Sequence, residues 1–202
     1  MFKLLYNKLK SSCKEGSAAA VTDEELYSRY LFGDTASYDE LLIRLGNGLI
    51  VYINGYLHNL QDSEDLMIEA FARIMAKRPH IRGSFKAYLY RTARNLAFRF
   101  YSSASRTKTF SIEDAGGEIT DGSFPEIQYL DSERKRLLHL CLDRIDPKLK
   151  EALWLIYFDE MSYADAAAVM GVTKKRIDKL LQRGKEMLRA ELENEGITNA
   201  YE

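Results

Sequence analysis

With 202 residues, 46% of them hydrophobic, the chain is long enough for one large domain or two small ones and can bury real cores. Its 29 Lys and Arg against 30 Asp and Glu leave a formal charge of -1, and no run approaches the ~20 apolar residues that a bilayer-spanning helix needs. Two distant cysteines, Cys13 and Cys141, and three histidines, His58, His80 and His139, have no ligand-like spacing, so no zinc site, disulfide framework or cofactor is expected.

Near-neutrality conceals a dipolar chain. Arg73 to Arg106 carries nine basic residues and no acidic one, whereas Thr109 to Glu133 carries seven acidic residues and no basic one. Met1 to Leu9 has an apolar side (Phe2, Leu5, Leu9) broken by Lys3, Asn7 and Lys8, without the sustained apolar centre and cleavage site of a signal peptide. A cytoplasmic protein without membrane insertion is expected.

Residues 1–21 end in a small, polar stretch and read as an N-terminal extension. Thr22-Asp23-Glu24-Glu25 forms a capping box that opens a short helix, with Leu26, Tyr30 and Leu31 inward and Gly33-Asp34 as its stop. From Tyr38 to Leu60 an apolar stripe recurs at helical spacing, although Gly46, Gly48 and Gly55 weaken its intrinsic helicity. Asp62-Ser63-Glu64-Asp65 suits the positive end of a helix and leads into Leu66 to Lys77, which closes on Lys77, Arg78 and Pro79. Leu66, Ala70 and Ile74 line a core. Met67, Phe71 and Met75 make a second apolar edge, to be covered either by a partner or by deeper burial in a bundle.

Arg82-Gly83-Ser84 reads as a loop and Phe85 to Tyr101 as a helix in which Phe85, Tyr88, Tyr90, Phe98, Phe100 and Tyr101 interleave with Lys86, Arg91, Arg94 and Arg99. Basic groups track phosphates, and aromatic faces stack on unpaired bases at ~1–3 kcal/mol each, so the composition suits a single nucleic-acid strand. Half or more of the aromatics are needed for the core. Ser102 to Asp131, with Gly116-Gly117, Gly122, Pro125 and an acidic bias, reads as a linker.

Beyond it, Leu137, Leu138, Cys141, Leu142 and Ile145 form one amphipathic helix. Asp146-Pro147 opens a second, lined by Leu149, Leu153, Ile156 and Tyr157. Ser162-Tyr163-Ala164-Asp165 then reads as a capping box, Ala166, Ala167 and Met170 as inward positions, Gly171 as a left-handed stop, and Thr173 as the cap of a further helix. In that helix Ile177, Leu180, Leu181, Met187 and Leu188 face inward and leave Lys174, Lys175, Asp178, Lys179 and Gln182 on the opposite side. Two helices joined by such a turn make a helix-turn-helix, whose second helix would enter a major groove. With Thr173, Arg176 and Arg183, that outer face is the candidate duplex-binding set. The expected fold is all-α: two small helical domains, residues 22–101 and 132–193, on a flexible acidic linker, 102–131, with a C-terminal tail, 194–202.

Gly33-Asp34 before the long helix, Asp65-Leu66 followed by Glu69-Ala70-Phe71, and Tyr88-Leu89-Tyr90-Arg91-Thr92-Ala93-Arg94-Asn95 together resemble the extracytoplasmic-function (ECF) group of bacterial RNA polymerase sigma factors, in the sigma-70 family. The resemblance implies a region 2-like domain that docks on core RNA polymerase, at its clamp coiled coil, through Asp65, Leu66, Glu69, Phe71 and Arg73. The same domain would capture the promoter −10 strand with Arg82, Ser84, Phe85, Lys86, Tyr88, Arg91, Arg94 and Asn95. A region 4-like domain would read the −35 element of promoter DNA and meet the polymerase flap, and the resemblance leaves room for an anti-sigma factor. The family usually has Gln where Ile68 stands, Trp at Tyr88, and an Asp followed by paired Arg at Arg99, Ser102 and Ser103. Asp178 stands where a basic residue is common, and a carboxylate there can accept from cytosine N4.

No Gly-rich phosphate loop, nucleophile elbow or metal-ligand spacing is found, so no enzyme is expected. Two other readings stay open from the residues alone: a helix-turn-helix regulator acting without core polymerase, and a helical adaptor protein.

Overall fold

The computed structural model describes residues 21–107 and 133–195, and among these every regular element is helical. They form two compact units, one from each stretch. The expected N-terminal extension, most of the expected linker and most of the expected tail lie outside the described residues.

The first unit holds α1 (Asp23–Leu31), α2 (Ala36–Leu57), α3 (Leu60–Lys77) and α4 (Phe85–Thr107). The capping box at α1 closes in both directions: Glu25 N–H donates to Thr22 Oγ1 at 3.2 Å, and Thr22 N–H to Glu25 Oε2 at 2.9 Å. Its inward residues are Leu26 and Tyr27. Tyr30 and Leu31, expected inside, are half-buried, because α1 lies across both α2 and α4 and presents to them the face one residue round.

α2 starts earlier than the apolar stripe suggests. Asp34 accepts from Ala36 N–H and from the Ser37 hydroxyl, and the Ser37 bond holds its carboxyl below the usual range. The helix ends at Leu57, where His58 takes a left-handed conformation (φ 51°), so Leu60 belongs to α3. Asn59, not the Asp62 to Asp65 run, caps α3: Asp62 N–H donates to its Oδ1 at 3.2 Å. Ser63 is accordingly interior, and its hydroxyl donates to Asn59 O at 2.6 Å.

α3 packs against both α2 and α4, which decides the fate of its second apolar edge. Phe71 and Met75 are buried, and the Phe71 ring meets Tyr38 edge-on at 6.2 Å. Met67 lies over Gly46 of α2, 3.9 Å from where a Cβ would stand. α4 continues six residues past the expected boundary, and the Ser102 hydroxyl donates to Phe98 O along the way. The bond occupies the Ser102 hydroxyl inside the helix, where it does not compete for a backbone group in a turn.

The second unit holds α5 (Glu133–Asp143), α6 (Pro147–Leu153), α7 (Tyr163–Met170) and α8 (Lys174–Asn194). Asp146 caps α6 by accepting from Lys148 N–H at 2.9 Å, with Pro147 in the first turn. α6 runs into a π-helical turn, Trp154–Phe158. The wider turn shifts the helical phase, so Leu155 is fully buried while Ile156 and Tyr157, expected inside, are half-buried. On α8 the inward stripe is Ile177, Leu180, Leu181, Gly184 and Leu188. Met187 falls about a quarter-turn off this stripe and is exposed. Gly184 is the seat against α6: a Cβ there would stand 3.1 Å from Leu153 Cδ1 and 3.5 Å from Leu149 Cβ.

Because Trp154 is the only tryptophan, its fluorescence reports the second unit alone. Gly184→Val forces two methyl groups into a filled seat and is expected to destabilise that unit by about 1–3 kcal/mol, read as a lower urea midpoint of the Trp154 signal in the full-length protein.

Candidate nucleic-acid interface

The turn between α7 and α8 is built from caps. Asp165 N–H donates to Ser162 Oγ at 3.1 Å. The return arm differs from a full capping box: the Ser162 hydroxyl donates to the Asp165 carboxylate at 2.6 Å, so Asp165 steadies the cap side chain rather than the backbone. Gly171 ends α7 in the left-handed region (φ 67°), Val172 N–H donates to Ala167 O, and Arg176 N–H donates to Thr173 Oγ1 at 3.2 Å. Ala166, Ala167, Val169 and Met170 are buried with Ile177, Leu180 and Leu181, which fixes the two helices against each other.

The consequence is an open outer face. Thr173, Lys174, Lys175, Arg176, Asp178, Lys179, Gln182 and Arg183 are all exposed. The Thr173 oxygen accepts the cap bond, which orients the helix, and its own O–H still faces outward as a donor. Tyr163, which sequence reasoning passed over, stands half-exposed at the start of α7, across a shallow groove from Asp178, Gln182, Lys185 and Arg189. Only the packing of α7 on α8 brings it there. A helix face with this many cations can track phosphates, while Asp178 and Gln182 offer hydrogen bonds to base edges.

The eight residues expected on a single strand divide. Phe85 is fully buried, its ring 4.9 Å from that of Tyr27, so it packs the core instead of meeting a base. The Ser84 hydroxyl accepts from Ala87 N–H at 3.2 Å and caps α4. Tyr90 is also buried, against Tyr52. Arg82, Tyr88, Arg91 and Asn95 are exposed, and Lys86 and Arg94 are half-buried. Tyr88, Arg91, Asn95, Phe98 and Ser102 recur every three or four residues and form one stripe along α4. Phe98, outside the expected set, is 43% exposed, with the Arg94 guanidinium 4.5 Å from its centroid and Tyr56 edge-on at 5.4 Å.

Of the five residues expected on a partner protein, Leu66 and Phe71 are buried and unavailable, because α3 turns that side toward α2 and α4. Asp65 and Arg73 are exposed and Glu69 half-buried, with Arg73 paired to Glu69 one turn away. Among them stands Ile68, 56% exposed. The outer face of α3 is therefore charged around one apolar side chain.

An all-helical protein with a cationic recognition-helix face in one unit and an aromatic and basic helix face in the other belongs to the class of DNA-binding transcription proteins. The sigma-70 region 2 model matches residues 29–107, and the sigma-70 region 4 model matches residues 135–188. The chain belongs to the sigma-70 family, in its ECF group, and is a sigma factor of promoter-directed transcription initiation. It is 28% identical over 169 residues to the RNA polymerase sigma-H factor of Pseudomonas aeruginosa, which covers 77% of this chain and 88% of that one. It is 26% identical over 181 residues to the ECF RNA polymerase sigma-E factor of Haemophilus influenzae, with 85% and 95% covered. The fold is shared with the sigma factor RpoE of Bartonella quintana, solved in complex with the anti-sigma factor NepR, at a TM-score of 0.60 and 20% identity over 77% of this chain and 96% of that one.

Lys175→Ala is expected to weaken duplex binding to all sequences alike and to lower the slope of log affinity against log salt by about 1, whereas Asp178→Ala changes preference among sequences. Anisotropy titrations of labelled duplexes at several salt concentrations check both.

Proposed function

We propose that the unit of residues 21–107 docks on the polymerase clamp and holds the −10 strand, while the unit of residues 133–195 reads the −35 duplex through α8 and meets the flap. On α8 the contacts are assigned to Lys174, Lys175, Arg176, Asp178, Lys179, Gln182 and Arg183, with Thr173 aiming them. The strand runs past Arg82 and along Tyr88, Arg91 and Asn95, flanked by Lys86 and Arg94. Ser84 and Phe85 hold that surface in shape from below.

The clamp contact is assigned to Asp65, Ile68, Glu69 and Arg73 on the outer face of α3, with Leu66 and Phe71 fixing the helix behind it. The observation that carries this function is the exposed stripe on α4: an aromatic side chain in line with Arg and Asn offers an unpaired base a face to stack on beside groups that hold phosphate. No bond is made or broken by this chain in the proposed mechanism. Binding energy to polymerase and duplex is used to stabilise a few unpaired bases, and RNA synthesis belongs to the polymerase. The protein works in the cytoplasm, where the polymerase is; among the described residues no helix is long and apolar enough to cross a membrane. An anti-sigma factor is included among its partners on the likeness to RpoE.

Reconstitution with core polymerase tests the scheme. The wild-type chain is expected to bind core and direct initiation from a cognate promoter. Ile68→Asp is expected to lower core affinity about tenfold or more by putting a charge into the apolar centre of the contact. Tyr88→Ala is expected to keep core affinity while lowering open-complex formation about tenfold, the worth of one base stack. A chain that shifts duplex DNA without core and never programs initiation overturns the proposal.

A further inference from the structure

α1 has no part in the contacts assigned above, yet its side chains hold both ends of the segment that joins α3 to α4. The Tyr27 hydroxyl donates to Pro79 O at 2.8 Å, just after α3. Glu24 Oε1 accepts from Phe85 N–H at 2.9 Å, at the first residue of α4. The Tyr27 ring also lies 4.9 Å from the Phe85 ring, tilted by 32°. Glu24 and Tyr27 are three residues apart and so share a helix face.

The segment between these two anchors needs holding. Arg78 is in the left-handed region at φ 45°, a conformation an L side chain rarely adopts, and Gly83 has φ 101°. The chain from 79 to 84 has no regular structure, and it carries the exposed Arg82 just ahead of α4. Without the α1 contacts the loop would have many alternative shapes, and ordering it would be charged against every strand bound.

We propose that Glu24 and Tyr27 are positioning residues for strand capture: a clasp that presets the loop 79–84 and the first turn of α4 before DNA arrives. Neither touches DNA; each acts through the backbone it holds. The inference rests on the assignment of the −10 strand to this loop and α4.

The test compares full-length wild type, Tyr27→Phe, Glu24→Ala and Glu24→Gln, each reconstituted with core polymerase. Probes are a single-stranded −10 oligonucleotide and a −35 duplex. Tyr27→Phe removes one hydroxyl and leaves the ring stack, while Glu24→Gln keeps an oxygen acceptor for Phe85 N–H. Tyr27→Phe and Glu24→Ala are each expected to weaken the single strand about fivefold, the worth of one hydrogen bond, and Glu24→Gln to stay within about twofold of wild type. Core affinity and duplex affinity stay at wild-type values in all three, and amide exchange at Phe85 speeds up in the two weakened variants. If Glu24→Ala fails to fold, Tyr27→Phe decides.

Unchanged strand affinity in folded variants, or an equal loss on the −35 duplex, overturns the clasp while leaving strand capture intact. A wild-type holoenzyme that does not bind the single strand overturns strand capture itself, and the clasp with it.

Discussion

The backbone N–H groups of a helix's first turn have no acceptor inside the helix, and in this protein both helices proposed to meet nucleic acid answer that demand with side chains. α8 begins on Thr173, whose oxygen accepts from Arg176 N–H. α4 begins on Ser84 and on Glu24, an acceptor brought in from α1. In both cases the cap is a side-chain oxygen that accepts from the backbone. Spending it on the backbone fixes the direction in which the next turn of cationic and aromatic side chains emerges. Thr173, Ser84 and Phe85 thus resemble contact residues in sequence, and in the fold the first two cap helices while the third packs the core.

Burial draws the second dividing line. In the first unit α3 packs against two neighbours and α4 against three, and a helix packed on several sides keeps only a narrow strip for outside use. On α3 that strip holds Asp65, Ile68, Glu69 and Arg73; on α4 it holds Tyr88, Arg91, Asn95 and Phe98. The narrowness is useful. Each strip follows helical spacing, so its residues present themselves as a set in fixed order.

Electrostatics follow the same separation of frame from surface. In the second unit, Arg144 pairs with Glu191 and Glu195, and Lys150 with Asp143, all away from the recognition face of α8. Exposed pairs of this kind contribute little stability, but they use up acidic groups that would otherwise oppose phosphate. The Lys and Arg at the start of α8 have no such pairing among the described residues and leave that face cationic. A formal charge of -1 over the whole chain is therefore compatible with a strongly cationic working face.

The local rules of the chain were legible in its sequence because they act over three or four residues. Thr22 with Glu25, Asp146 with Pro147, Gly171 and Thr173 can each be read as helix punctuation without knowing what lies nearby. So could the all-helical class, the helix-turn-helix and the motif strings of the sigma-70 family. What sequence could not decide was which side of an apolar helix is shared between two neighbours. Phe71 and Met75 could be read as a docking edge or, on the residues alone the better reading, as core, and the packing of α3 on both α2 and α4 chose core. Phe85 sat among basic residues as a stacking aromatic should, until Tyr27, 58 positions earlier, took its face. The π-helical turn after α6 and the seat at Gly184 belong to the same class, since each is set by the fit of one helix against another. Periodicity gives a helix its stripe, but the partner that covers the stripe comes from distant parts of the chain, and its position is a property of the folded unit alone.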